Sequence, residues 1–198
     1  YLMEGHMKHR DHLGNEGDLQ QGGVQWMTAG RGIIHEEMPQ QQDGLLRGFQ
    51  LWINLPAAEK MKAAGYRDIT DTEIPRLDLP TGGQIKAIAG EVTIGNQVIK
   101  APVNGGSTDP LYLDVKLRAG ETVTVPLTQG YNAFLYLFEG QVSVAGEGVK
   151  SDHLATFTDG DKVSLVAGDH GARLLLLAGK PIGEPIAQYG PFVMNTQD

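Results

Sequence analysis

The sequence predicts an all-β protein made of two related β-barrels, and three observations lead to this prediction. Short runs of β-branched or aromatic residues recur through the second half of the chain, helical signals are confined to one short stretch, and a five-residue pattern occurs twice. Short strands at regular spacing, separated by Gly, Asp, Asn and Pro, are typical of antiparallel sandwiches and barrels rather than of βαβ units.

The strand signals are strongest after residue 90. Seven short strands are predicted there, at residues 91–94, 111–117, 122–125, 134–138, 141–144, 162–166 and 173–177. The first half has three clear runs, at residues 1–3, 24–28 and 49–54. One or two helical turns are expected at 57–64, because Pro56 precedes this stretch and proline is favoured where a helix begins.

The internal repeat links the two halves. Tyr-Leu-Met-Glu-Gly at residues 1–5 returns as Tyr-Leu-Phe-Glu-Gly at residues 136–140, and each copy ends a strand at a glycine turn. Such self-similarity favours duplication. We therefore expect a first barrel at 1–68, a polar linker at 69–80, and a second barrel at 81–198 whose end packs back toward the first.

The composition excludes several classes of partner. Lys and Arg number 16 against 24 Asp and Glu, so the net charge is −8, which repels a phosphate backbone, and no basic patch compensates. We expect neither direct nucleic-acid binding nor membrane insertion, since no run approaches the roughly 18 apolar residues that span a bilayer. The absence of cysteine leaves His and carboxylates as metal ligands and fits a cytoplasmic protein, or a nuclear one in a eukaryote.

A strand, a glycine-rich corner and a His-Glu-Glu sequence follow one another at residues 24–39. On a strand, His35 and Glu37 point to one face while Glu36 points to the other. An imidazole nitrogen and a carboxylate oxygen together suit iron, manganese, nickel, copper or zinc. Spacing alone leaves a second interpretation open, in which a surface histidine lies beside two acids.

Residues 25–39 resemble the signature of the pirin family, and the resemblance continues in order through residues 49–55, 59–61, 111–114 and 190–196. It implies two cupin-type jelly-roll barrels in tandem, with one metal in the first, held by three His and one Glu. His35 matches the third of these His, and Glu37 matches the Glu. The other two form a His-x-His motif that belongs before Tyr1, so the first barrel is expected to be incomplete. The family continues beyond the motif at 190–196, so a carboxy-terminal segment is also expected to follow Asp198 in the full-length protein.

The remaining histidines are not expected to complete the site. In a strand, His6 and His12 share a face that His9 does not, so the three cannot all reach one ion. The stretch from His9 to Asp11 also resembles a family motif of structural character. In the second barrel, the repeat places Pro126 and Thr128 where the His-x-His would lie, and this barrel is predicted to be metal-free.

The resemblance implies two classes of function. In the first, the protein resembles a quercetin 2,3-dioxygenase that oxidises a flavonol-like aromatic with dioxygen, with Glu37 as metal ligand, catalytic base or both. In the second, it is a non-catalytic, redox-sensing regulator that binds a protein partner. The expected cofactor is one divalent transition metal, iron in the family, with nickel, manganese, copper, zinc or cobalt as alternatives. The 198-residue chain alone is expected to be inactive and incompletely loaded with metal.

Overall fold

The computed structural model describes residues 1–40 and 42–197; Gln41 and Asp198, the last residue of the predicted second barrel, lie outside the described residues. One short helix, α1 (Ala57–Lys60), and one 3₁₀ turn, at Asp71–Glu73, are the helical elements of the described chain, and the prediction of an all-β protein is confirmed. In this part of the chain, no helix has both the length and the apolar character needed to cross a membrane.

The chain divides into two compact units. Unit 1 comprises Tyr1–Glu73 and the stretch from Ile182 onward, and unit 2 comprises Ile74–Pro181. The domain limits predicted from the sequence, at residues 68 and 81, stay a prediction. The elements of unit 1 are β1 (Leu2–Glu4), β2 (His6–Asp11), β3 (Glu16–Gln20), β4 (Val24–Thr28), β5 (His35–Pro39), β6 (Arg47–Gly48), α1 (Ala57–Lys60) and β7 (Gly65–Ile69).

Unit 2 contains ten strands, and two more lie in the carboxy-terminal part of unit 1. Those of unit 2 are β8 (Arg76–Asp78), β9 (Gln84–Ala89), β10 (Glu91–Ile94), β11 (Gln97–Lys100), β12 (Leu111–Leu117), β13 (Thr122–Pro126), β14 (Asn132–Val144), β15 (Glu147–Lys150), β16 (His153–Thr156) and β17 (Lys162–Gly179). The two carboxy-terminal strands are β18 (Ala187–Tyr189) and β19 (Phe192–Met194).

Unit 1 is built from short antiparallel pairings. β2 lies between β3 and β5, while β1 pairs with β6, β4 with β7, and β18 with β19. Apolar side chains from β1, β3, β4 and β7 form its interior. The fully or nearly fully buried members are Leu2, Met3, Leu19, Val24 and Ile69.

Unit 2 is centred on an eight-stranded sheet in the order β15-β14-β17-β12-β9-β8, with β13 also paired to β17 and β16 to β14. Alternate residues of β12, among them Leu113 and Val115, point into the core and are fully buried. The strands predicted at 134–138 and 141–144 form one strand, β14, and those at 162–166 and 173–177 form one strand, β17. Bulges near Glu139 and Gly140 let β14 change direction without ending.

The two copies of the internal repeat share a backbone requirement. Gly5 and Gly140 both have positive φ, +101° and +78°. A Cβ atom would lie 2.9 Å from the carbonyl oxygen of Leu45 at the first position and 2.1 Å from that of Gly171 at the second. Each copy therefore needs glycine for both its φ angle and the close approach of another backbone segment.

The prediction of a strand at residues 49–54 was wrong. Residues 49–54 form no strand: Phe49 extends the β1–β6 pairing by hydrogen bonds with Tyr1, but the following stretch has no assigned strand, and Trp52 is 59% exposed. The prediction of one or two helical turns within residues 57–64 is confirmed by a single turn, Ala57–Lys60.

A buried lysine ties this turn to the carboxy-terminal hairpin of unit 1. The Lys60 ammonium donates to Oδ1 of Asn54 at 2.6 Å and to the carbonyl oxygen of Val193 at 2.8 Å. Nearby, Glu184 accepts hydrogen bonds from the backbone of Ala57 at 2.7 Å and from the Asn195 amide at 3.0 Å. Two of these four bonds, from Lys60 to Val193 and from Ala57 to Glu184, cross between the α1 turn and the carboxy-terminal stretch and fix one to the other.

Candidate metal centre

The candidate site lies on the antiparallel pair of β2 and β5. In this register His9 lies directly opposite Glu37, and Asp11 opposite His35. Because side chains alternate along a strand, these four residues share one face of the pair. Glu36 lies on the other face, where its carboxylate pairs with Arg10 at 2.8 Å.

The structure brings the two residues predicted from the sequence together and adds a third. Ligand atoms of His9, His35 and Glu37 all lie within 4.8 Å of one another. Nδ1 of His9 is 3.5 Å from Nδ1 of His35, and the two rings are 5.2 Å apart with a tilt of 44°. Two imidazoles and one carboxylate can act together as ligands of a transition metal.

Burial decreases across the cluster. His9 is fully buried, His35 is half-buried and Glu37 is exposed. Nε2 of His9 has no hydrogen-bond partner within the described chain. A buried polar nitrogen without a partner is destabilising by about 1–3 kcal/mol, so this position suits a polar function better than simple packing. The donor set of the cluster, two imidazoles and one carboxylate, fits a site for a divalent transition metal.

Tyr66, on β7, holds the other side of the His9 ring. The two rings meet edge to face with centroids 5.0 Å apart. Burial raises the pKa of the Tyr66 phenol, and the carboxylates of Asp11, Asp68 and Glu16 raise it further. The phenol therefore stays protonated at neutral pH and can donate a hydrogen bond.

A cavity of about 490 Å³ is lined in part by Tyr66, whose ring contacts His9 of the cluster. None of the three clustered residues lines this cavity. Its walls are both acidic and apolar, and they comprise Asp11, Leu13, Asn15, Glu16, Ile33, Ala64, Gly65 and Tyr66. The site thus has a space beside it that is large enough for a small organic molecule.

The other amino-terminal histidines have partners of their own. Nε2 of His6 lies 2.6 Å from Asp18, and this hydrogen bond lowers the pKa of the Asp18 carboxyl. Nδ1 of His12 accepts from the backbone N–H of Ile34 at 3.2 Å. Neither residue joins the cluster. The sequence did not identify His9 because only the pairing of β2 with β5 shows that it faces Glu37.

Comparison with known proteins identifies the family. Residues 1–53 match the Pirin family, and residues 112–198 match the Pirin C-terminal cupin domain. A Pseudomonas aeruginosa protein named "Putative quercetin 2,3-dioxygenase" is 47% identical over 201 residues, which cover 100% of this chain and 70% of the relative. The chain belongs to the pirin family. The family and the cupin fold predicted from the sequence are thereby confirmed.

Solved structures of pirin-like proteins have the same fold. A quercetin 2,3-dioxygenase from Acinetobacter baumannii superposes with a TM-score of 0.91 at 33% identity, covering 99% of this chain and 68% of that one. A bacterial pirin from Escherichia coli, solved in complex with nickel(II), has a TM-score of 0.68 at 20% identity over 91% of this chain and 71% of its own. The second likeness concerns the fold alone.

Proposed function

We propose that this pirin-family chain holds one divalent transition metal in unit 1, through His35 and Glu37, and that the full-length protein is an oxidoreductase acting on a flavonol or similar aromatic with dioxygen. The observation that carries the proposal is the convergence of His9, His35 and Glu37 on one face of the β2–β5 pair. The quercetin 2,3-dioxygenase names of its relatives support the reaction class. Iron is the metal we propose, with nickel, manganese, copper, zinc and cobalt as the alternatives.

The bound metal would supply Lewis-acid chemistry, polarising the oxygen of a substrate hydroxyl. His35 would hold it through a ring nitrogen, and Glu37 through a carboxylate oxygen. An ionised carboxylate is only an acceptor, so Glu37 could also take the proton that a flavonol hydroxyl loses on binding. Its exposure at the edge of the cluster leaves it accessible to a substrate.

The adjoining cavity indicates which form of substrate would enter. Asp11 and Glu16 on its wall repel an anion but accept hydrogen bonds from the hydroxyl groups of a neutral polyhydroxylated aromatic. The Tyr66 phenol is a donor at the same wall, and Leu13 and Ile33 offer apolar surface to an aromatic ring. We therefore propose that the substrate enters uncharged and is deprotonated only beside Glu37.

Oxygen consumption tests this proposal directly. The iron-loaded full-length protein should consume dioxygen when quercetin is added, and both His35→Ala and Glu37→Gln should reduce the rate by more than about 100-fold, as loss of a general base typically does. Glu36→Gln is the matched control, because Glu36 lies on the opposite face and pairs with Arg10. Unchanged turnover in Glu37→Gln would remove this residue from the mechanism.

A regulatory role is the second candidate. The net charge of −8 favours a protein partner over direct contact with nucleic acid. A purified partner that binds only one oxidation state of the metal, together with no oxygen uptake on any flavonol, would favour this role over catalysis. A cytoplasmic location, or a nuclear one in a eukaryote, stays a prediction in either case.

A further inference from the structure

We propose that His9 is a positioning residue of the metal centre: it accepts a hydrogen bond from Nδ1–H of His35 and so leaves Nε2 of His35 as the metal-binding atom. The inference rests on the proposed function, because it assigns a role within the same site. From the sequence, His9 was expected to have only a structural role.

The first step of the argument is the contact between the two rings. Their Nδ1 atoms are 3.5 Å apart, at the long end of the hydrogen-bonding range. Two nitrogen lone pairs do not face each other at this distance without a proton between them, and a neutral imidazole carries its proton on only one nitrogen. If that proton is on Nδ1 of His35, the lone pair of its Nε2 is free. Histidine ligands of metals usually donate their other N–H to a fixed acceptor.

The second step is the order of burial. His9 is 0% exposed, whereas His35 is half-buried and Glu37 is exposed. An ion and a substrate arriving from solvent would meet Glu37 and His35 first. His9 therefore lies behind His35, as expected of a residue that orients a ligand.

The third step is the way in which His9 itself is held. Its ring is packed between His35, 5.2 Å away, and Tyr66, 5.0 Å away. The backbone fixes it further, since β2 is paired on both sides and His9 lies opposite Gly17 on β3 and Glu37 on β5. A side chain restrained in this way can impose an orientation on its neighbour.

The last step is the cost of keeping an imidazole here. Nε2 of His9 is buried without a partner within the described chain, and an apolar ring of similar shape would avoid that penalty. The contact with His35 supplies a reason for a nitrogen at this position. Phenylalanine at residue 9 should accordingly pack well and yet impair the metal centre.

Cobalt titration of three variants tests the inference. His9→Phe keeps the ring shape and removes both nitrogens, whereas His9→Asn keeps a carbonyl oxygen near the position of Nδ1. We expect His9→Phe to weaken Co²⁺ binding by about 10- to 100-fold, the usual effect of losing an orienting partner, and His9→Asn to bind within a few-fold of the wild type. His6→Asn is the matched control, since His6 pairs with Asp18 outside the cluster, and it should bind as the wild type does.

The visible absorption spectrum of bound Co²⁺ separates positioning from ligation. A positioning role predicts that the spectrum of His9→Asn matches the wild type, and thermal melting of the metal-free His9→Phe protein should show no loss of stability. An altered spectrum in His9→Asn, with affinity as low as in His9→Phe, would make His9 a direct ligand and overturn the proposal. Wild-type affinity in His9→Phe would overturn it as well, leaving packing alone.

The two proposals can fail separately. If Co²⁺ binding depends on His35 and His9 as described but the full-length protein consumes no oxygen, only the oxidoreductase function is rejected. If Co²⁺ binding requires His35 and is indifferent to residue 9, only the role of His9 is rejected. A full-length wild-type protein with no affinity for Co²⁺ would reject both.

Discussion

His9 and Glu37 lie directly opposite each other across β2 and β5. The candidate metal centre therefore depends on the register of this pair, because a shift by one residue would turn one of the two side chains to the opposite face. The ion pair of Arg10 with Glu36 on the other face belongs to the same register, and its two partners are about half exposed. The geometry of the site thus depends on the strand register as much as on the identity of its side chains.

Because Glu36 and Glu37 point to opposite faces of β5, replacing them should have different effects on metal affinity. Glu37→Gln should weaken Co²⁺ binding by more than about tenfold, because an amide oxygen is a poorer ligand than a carboxylate for a divalent ion. Glu36→Gln should leave the affinity unchanged. Isothermal titration calorimetry on both variants measures this, and an equal loss in the two would show that overall charge, rather than ligation, attracts the ion.

The glycine of the second repeat should be far less replaceable than a glycine in a neighbouring turn. Gly140 and Gly146 have similar φ, +78° and +85°, but a Cβ at 140 would lie 2.1 Å from a backbone oxygen, whereas nothing lies within 4 Å of one at 146. We expect Gly146→Ala to cost about 1 kcal/mol from the φ angle and Gly140→Ala about 3 kcal/mol or more. Urea unfolding of the two variants gives the difference, and equal costs would contradict the close contact.

A buried glutamate in unit 2 should make stability depend on acid pH. Burial alone would raise the pKa of the Glu121 carboxyl, but hydrogen bonds from the Thr81 hydroxyl and from the backbone of Arg118 and Gly83 lower it below the ordinary value of 4.5. With the folded-state pKa below the unfolded one, the stabilisation is present above pH 4.5 and is lost as pH falls through the folded-state value.

Glu121→Gln should therefore lower the free energy of unfolding by about 1–3 kcal/mol near neutral pH and by much less in acid, where the wild-type carboxyl is protonated too. Urea midpoints at the two pH values test this. Glu147→Gln, at an exposed position on β15, is the control and should change neither midpoint. A loss for Glu121→Gln that is the same at both pH values would exclude the carboxylate as the cause.

Replacing Lys60 should destabilise the protein more than replacing Lys62, although the two lysines are only two residues apart. Lys60→Met leaves the acceptors on Asn54 and Val193 without their donor, which should destabilise the protein by about 1–3 kcal/mol. Lys62→Met removes only a partly exposed pair with Glu59 and should cost at most about 1 kcal/mol. Thermal melts compare the two, and proteolysis near β19 should increase in Lys60→Met alone if this lysine anchors the hairpin.

Local patterns predicted five of the ten strands of unit 2. β12, at Leu111–Leu117, has the predicted bounds because alternate apolar residues mark a strand with one face in the core. The same patterns missed the continuity of β14, since Glu139 and Gly140 look like a turn and instead form bulges within one strand. The prediction of a strand at residues 49–54 failed for the opposite reason. Their apolar character indicated a strand, but a strand forms only beside a neighbouring strand, and a local pattern does not reveal whether one is present.

At the candidate site, too, the sequence predicted local relationships but not those that depend on strand pairing. His35 and Glu37 are two residues apart, so strand alternation alone predicted that they share a face. His9 comes from a different strand, and its place depends on the non-local register of β2 with β5. Alternation separated His9 from His6 and His12 correctly, but it could not show which of the two faces of β2 also carries His35 and Glu37.

β17 is the last strand of unit 2 to leave the ribosome, and it pairs with β12, β13 and β14. None of these three can complete its backbone hydrogen bonds before synthesis has passed Gly179. The nascent chain therefore carries open strand edges until β17 has been synthesised, and open edges of this kind can pair with other chains.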